Sequence, residues 1–158
     1  MMTLTSPSFP EGGAIPSRHS CDGEDSSPPL AWSGAPPGTR SFANIVDDPD
    51  APDPAAPKRI WVHWVLYGLA ASVSRLDEGA SAGALPDGAR EGVNDGGKVG
   101  YGGPCPPIGR HRYFHRLYAL DAILPDLGTN ARRADLERAM EGHVLETAVL
   151  MGTYQRAT

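Results

Sequence analysis

Apolar and polar positions alternate in short runs along most of this chain, and only one run keeps a helical period. The strongest strand pattern is Arg59 to Tyr67 (RIWVHWVLY). Period-two geometry puts Trp61, His63, Val65 and Tyr67 on one face and Ile60, Val62, Trp64 and Leu66 on the other. Both faces are apolar except at His63, so a central strand covered on both sides is expected. His111 to Asp121 (HRYFHRLYALD) is a second strand. Its odd positions, His111 to Ala119, share one face, and Arg112 points to the other. Ser41 to Asp47 (SFANIVD) and Val144 to Tyr154 (VLETAVLMGTY) are two more. Ser27 to Trp32 reads as an extended edge segment, because its prolines cannot donate to a ladder. Asn130 to Glu141 is the one helix, with Leu136, Ala139 and Met140 as its apolar stripe. Thr129 or Asn130 is expected to cap its start, and Gly142 to end it.

Turn chemistry fills the gaps. Met1 to Asp25 is turn-rich, Ala70 to Ala89 irregular, and Glu91 to Pro107 a long glycine-rich loop. Asp48 to Pro54 is expected to be a loop, since three prolines in seven residues oppose both helix and central strand. The sum is a mainly β architecture, a β-sandwich with one late helix, on a single domain covering residues 1–158.

Composition sharpens this picture. With 19 glycines and 16 prolines among 158 residues, a helical bundle is excluded. The net charge is -5 and no basic run exists, so nucleic acid is not an expected partner. The longest mostly apolar stretch, Val65 to Ala71, falls far short of the roughly 18 residues of a membrane helix. The start, MMTLTSPSFPEGG, has neither a positive patch nor an apolar core. No secretory signal is visible, and a cytoplasmic protein is expected. On that reading Cys21 and Cys105 are two free thiols.

Four features carry possible chemistry. Asp47-Asp48-Pro49-Asp50-Ala51-Pro52 places three carboxylates on a chain stiffened by proline. His63 lies inside an apolar strand and needs a hydrogen-bond partner. A carboxylate from the preceding loop is the natural one, and it would favour the imidazolium. His111 and Tyr113 share a strand face and can both donate to an anion. Gly100 to Gly109 (GYGGPCPPIG) could approach a ligand closely and offer an anion nest of N–H groups. It is not a phosphate-binding P-loop, because no G-K-[ST] ending follows. The four features together suggest a small polar pocket for an anionic group.

These strings resemble the phosphatidylethanolamine-binding protein family, in its bacterial, Raf kinase inhibitor-like branch. The resemblance runs through Cys21-Asp22-Gly23, Ser27 to Trp32, Asp47 to Pro52, Trp61-Val62-His63-Trp64, Gly100 to Pro107, His111-Arg112-Tyr113-Phe114 and Glu141 to Leu145. It implies a Greek-key β-sandwich with one or two short helices. It also implies an end pocket for phosphate, small carboxylates or a phospholipid head group. Carried onto this chain, the ligand-binding residues are Asp48, Pro52, Trp61, His63, Gly102, Gly103, His111 and Tyr113, with a cis peptide at Ala51-Pro52. Gly96 and His115 stand where the family usually has aromatics. The C-terminal helical cover of eukaryotic members is expected to be absent from a chain ending at Thr158, and a homodimer is the expected assembly.

The expected function is therefore non-enzymatic binding of a phosphate monoester, a head group or a phosphorylated side chain, without cofactor or metal. A kinase-inhibitor-like regulator acting on a protein partner is one form of it. The alternative is a hydrolase using Asp47, Asp48, Asp50, His63 and His111, with or without a metal, or Cys105 as nucleophile with His111 as base.

Overall fold

A computed structural model describes residues 1–156. The end of the chain, on which the expectation of an uncovered pocket rests, lies outside them. Among the described residues eight strands form: β1 (Thr3–Thr5), β2 (Leu30–Ser33), β3 (Ser41–Ala51), β4 (Arg59–Ala70), β5 (Arg75–Leu76), β6 (Arg90–Glu91), β7 (His111–Leu120) and β8 (Val144–Tyr154). One α-helix, α1 (Arg133–Met140), precedes β8, and two 3-10 turns lie at Ser17–His19 and Ala80–Ala82. The larger sheet has the order β6-β4-β3-β7-β8, all antiparallel. Three successive strands, β3, β4 and β6, are followed by β7, which returns beside the first: the Greek-key order. The smaller sheet is β1-β2-β5.

Two cores cover the larger sheet. Leu4, Leu30 and Trp32 from the small sheet pack on Phe42, Val46, Trp64, Leu66 and Leu117 to form the sandwich interior. On the outer face, Leu136 and Met140 of α1 cover Ala43, Ile45, Val65 and Tyr67. β4 is thus central and buried on both sides, as its two apolar faces demand.

Several local expectations are corrected by tertiary pairing. Asp48 to Ala51 is the end of β3, not a loop. Asp48 pairs with Trp61 and Ala51 with Arg59 across an irregularity that accommodates Pro49. Ser27 to Trp32 leads into β2, the middle strand of its sheet rather than an edge. The "irregular" regions contain the short strands β1 and β5. The helix starts later than expected, with Arg132 rather than Thr129 or Asn130 at its cap. Gly142 follows it at φ +80°, a left-handed end that glycine adopts without strain.

The largest correction is at His63. Val46 pairs with Trp64 but Asp47 pairs with Val62, so His63 is an extra residue in β4. This bulge reverses the alternation. Trp61 and His63 share the cleft side, whereas Val65 and Tyr67 turn to the outer core instead of following them.

His115 on β7 is buried, its Nδ1 has no partner, and its ring lies against Phe9. Burial lowers its pKa from 6.5 to about 3. Between those values the unfolded chain binds the extra proton, so His115 withdraws stability as pH falls from 6.5 toward 3. The slope reaches about 1.4 kcal/mol per pH unit. A His115→Leu variant is expected to lose less stability than the wild type between pH 7 and pH 4.5 in urea titrations. Parallel curves would show that the ring is not held neutral.

Candidate functional site

At the end of the larger sheet, β3 finishes while β4 and β7 begin. The strand ends and the 103–107 loop enclose a cleft of about 500 Å³. Asp48, Pro52, Trp61, His63, Gly103, His111 and Tyr113 line it; Gly102 stands behind the wall. The structure thus brings together seven of the eight expected residues, drawn from four separate stretches of chain. Lys58, Arg59, Ala51, Cys105, Pro106 and Pro107 also line the cleft and were not among them. Lys58 and Arg59 are exposed, so they supply positive charge from the open side. The Arg59 guanidinium lies 4.5 Å from the Trp61 ring centre, a cation–π contact.

The partners differ from those the spacing suggests. The loop carboxylate does not reach His63. Asp48 Oδ2 instead meets His111 Nδ1 at 2.6 Å, with both side chains almost completely buried. Asp48 Oδ1 accepts the Asp50 N–H at 2.7 Å. His111 Nε2 faces the Pro52 and Ile108 carbonyls at 3.1 and 2.9 Å. Every atom facing the His111 ring nitrogens is thus an acceptor or a shared-proton partner. The pair therefore carries two protons, one donated to the carbonyls and one between ring and carboxylate. His111 is a buttress rather than a free donor to an anion.

His63 Nδ1 lies 2.7 Å from the Gly102 carbonyl and must donate to it. That leaves Nε2 buried and without a partner. Burial pushes the imidazole pKa down, against the Gly102 hydrogen bond and the charges of Asp48, Asp95 and Asp25. The ring is therefore neutral rather than the cation expected from its neighbours. Tyr113 stands edge-on to it, 5.2 Å between ring centres, and its buried hydroxyl also has no partner. Desolvation, then the Asp48 charge, raises the phenol pKa, so Tyr113 keeps its proton.

The glycine loop is a wall, not a nest. Gly102 N–H donates to the His63 carbonyl at 2.9 Å, and Gly103 N–H donates to Asp25 Oδ1 at 2.8 Å. Both N–H groups are spent inside the protein. Gly103 is there because nothing larger fits: an added Cβ would sit 2.1 Å from the His19 carbonyl oxygen. Asp25 was invisible in the sequence. It adopts φ +58°, and its role depends on a partner 78 positions away.

Cys21 and Cys105 form a disulfide, which corrects the expectation of free thiols. Their Cα atoms are 5.4 Å apart, since Cys21 N–H also donates to the Pro104 carbonyl. Cys105 is therefore no thiol nucleophile, and the free thiols expected from a cytoplasmic placement are not found. The Ala51–Pro52 peptide is cis. Among the described residues no helix is long and apolar enough to cross a membrane.

The carboxylates of the hydrolase alternative are dispersed. Asp47 points away from the cleft and is clamped by Arg116 at 2.9 Å and Arg133 at 2.7 Å. Asp50 is held by Arg112 through two side-chain contacts of 3.0 and 2.9 Å, which keeps its pKa below the usual carboxylate range. Only Asp48, His63 and His111 of the proposed five reach the cleft.

Fold and cleft together define the class: a Greek-key β-sandwich with a polar-floored cleft at one end of its larger sheet. The sequence profile of the phosphatidylethanolamine-binding protein family matches residues 5–155, and the chain belongs to that family. A "UPF0098 protein" of Methanothermobacter thermautotrophicus is 51% identical over 98% of this chain and 99% of its own. Among solved structures, a putative phosphatidylethanolamine-binding protein homolog of Chlamydia trachomatis superposes with TM-score 0.88 at 42% identity, covering 99% and 98% of the two chains. YbcL of E. coli gives TM-score 0.89 at 33% identity, covering 99% of each.

Proposed function

We propose that the cleft binds a small anion of the phosphate monoester class and catalyses no reaction on it. Free metabolites, phospholipid head groups and phosphorylated side chains of a partner protein share that chemistry. A regulator that reads a phosphorylated protein, a kinase included, is one form of this function. One observation carries the reading: His63 Nε2 and Tyr113 OH are buried and unpartnered on the floor of a cleft whose open side bears Lys58 and Arg59. Buried polar atoms without partners are uncommon in folded proteins and call for a ligand or water. The locked Asp48–His111 pair supports binding over catalysis, because neither group is free to take a proton from a substrate.

Titration with methyl phosphate, followed through the imidazole NMR signals, tests the proposal. His63 is expected to shift saturably at millimolar ligand, and buried His115 much less. In His63→Ala the saturable response of the Tyr113 signals should weaken about tenfold or more. A His63 signal that stays put throughout the titration would sink the reading.

A further inference from the structure

The floor of the cleft sets two acceptor groups, His63 and Asp48, among its donors. His63 has committed its only N–H to Gly102, so it presents a lone pair at Nε2. The Asp48 carboxylate presents its remaining lone pairs, because one oxygen faces His111 and the other takes the Asp50 N–H. Tyr113 OH is a neutral donor beside them, and the lining residues Trp61 and Cys105 add an indole N–H and a backbone N–H. Gly102 and Gly103, which could have supplied N–H groups, have spent them elsewhere. A fully ionised oxyanion lowered onto this floor meets lone pairs at His63 and Asp48. An oxyanion that carries a P–O–H group turns one of those encounters into a hydrogen bond.

We infer that the cleft selects anions that carry a proton: it accepts the monoanion of a phosphate monoester and refuses a sulfate ester of the same shape and charge. The inference rests on the anion reading of the site given above and names its specificity. The determinant is the tautomer of His63, imposed by the Gly102 carbonyl, together with Asp48. The cations at the mouth, Lys58 and Arg59, attract both esters equally and cannot discriminate between them.

His63 could escape this logic only by taking up a proton itself. The groups facing it are Asp48 on β3, Tyr113, His111 and His115 on β7, and Asp25 and Asp95 on the adjoining loops. The Gly102 hydrogen bond and the carboxylates favour the imidazolium, while burial opposes it. Burial outweighs the carboxylates and holds the ring neutral. With the ring held neutral the proton travels on the ligand, and well above the ligand's second pKa binding takes up one proton. A phosphate monoester has its second pKa near 6. Affinity for it should therefore fall by about tenfold for each pH unit well above 6.

The test is calorimetric titration of the disulfide-bonded protein with methyl phosphate and methyl sulfate at pH 6 and pH 8. At pH 6 methyl phosphate is expected to bind roughly ten- to a hundredfold tighter than methyl sulfate, the cost of leaving a buried acceptor unpaired. It should weaken by more than about tenfold at pH 8. Equal affinities at pH 6 would overturn the selectivity while leaving the anion reading intact. Binding of neither ester would overturn both. Long-range 15N NMR gives an independent readout: a His63 proton on Nε2 rather than Nδ1 would refute the tautomer on which the discrimination depends.

Discussion

Replacing Asp48 with alanine is expected to cost about 3–5 kcal/mol of folding stability, the scale for breaking a buried ion pair by removing one partner. For a chain of this size the Tm should fall by roughly 10 °C. Both side chains are almost fully buried and 2.6 Å apart, so neither can turn to water. The substitution leaves His111 Nδ1 without its partner and strips the Asp50 N–H of its acceptor. Asp48→Asn separates shape from charge. An amide at position 48 can keep its oxygen on the Asp50 N–H and donate from its NH2 to His111 Nδ1, while the neutral imidazole gives its one N–H, on Nε2, to the carbonyls, so only the charge assistance of the bond, roughly half its strength, is lost. The asparagine variant should therefore lose about half as much. Urea denaturation of the two variants decides it. A loss below about 1 kcal/mol for the alanine variant, the ordinary value of an exposed pair, would mean that this one is not sealed in the fold.

Reducing the Cys21–Cys105 disulfide should have an effect of similar size by a different route. The bond joins positions separated by 84 residues, and a loop of that length removes much entropy from the unfolded chain. The chain-entropy relation gives about 4.5 kcal/mol, or roughly 10–15 °C in Tm. Both cysteines are exposed, so a thiol reductant should reach the bond without prior unfolding. Cys21→Ala combined with Cys105→Ala should melt where the reduced wild type melts and ignore added reductant. The cleft wall should outlast the bond, because Gly103 still donates to Asp25 and Cys21 to the Pro104 carbonyl. A wild-type Tm that does not move on complete reduction would refute the entropic account.

The two results depend on different kinds of information. The Asp48–His111 pair joins residues that the sequence singles out individually, yet spacing pointed the carboxylate toward His63. That error is instructive. Three residues of β3 intervene between the site and its hairpin turn, and the bulge at His63 sets which β4 side chains face the cleft. A bulge has no sequence signature when the bulged residue is neither glycine nor proline. The disulfide was missed because two cysteines alone do not reveal their separation in space, and the compartment argument favoured thiols.

Local chemistry was enough to set the mainly β class, the four long strands, the late helix and the strings holding seven cleft-lining residues. Strand pattern and turn residues act over a few positions, so they survive without knowledge of the fold. Long-range pairing decided the rest. It ran β3 through Pro49, spent the Gly102 and Gly103 N–H groups inside the wall, and sent Asp47 to Arg116 and Arg133 on the far face. It also gave His63 its tautomer through a carbonyl 39 residues away. Each of these is a hydrogen bond or ion pair between distant segments. A donor's final partner is set by which segments pack together, and that is a property of the whole chain.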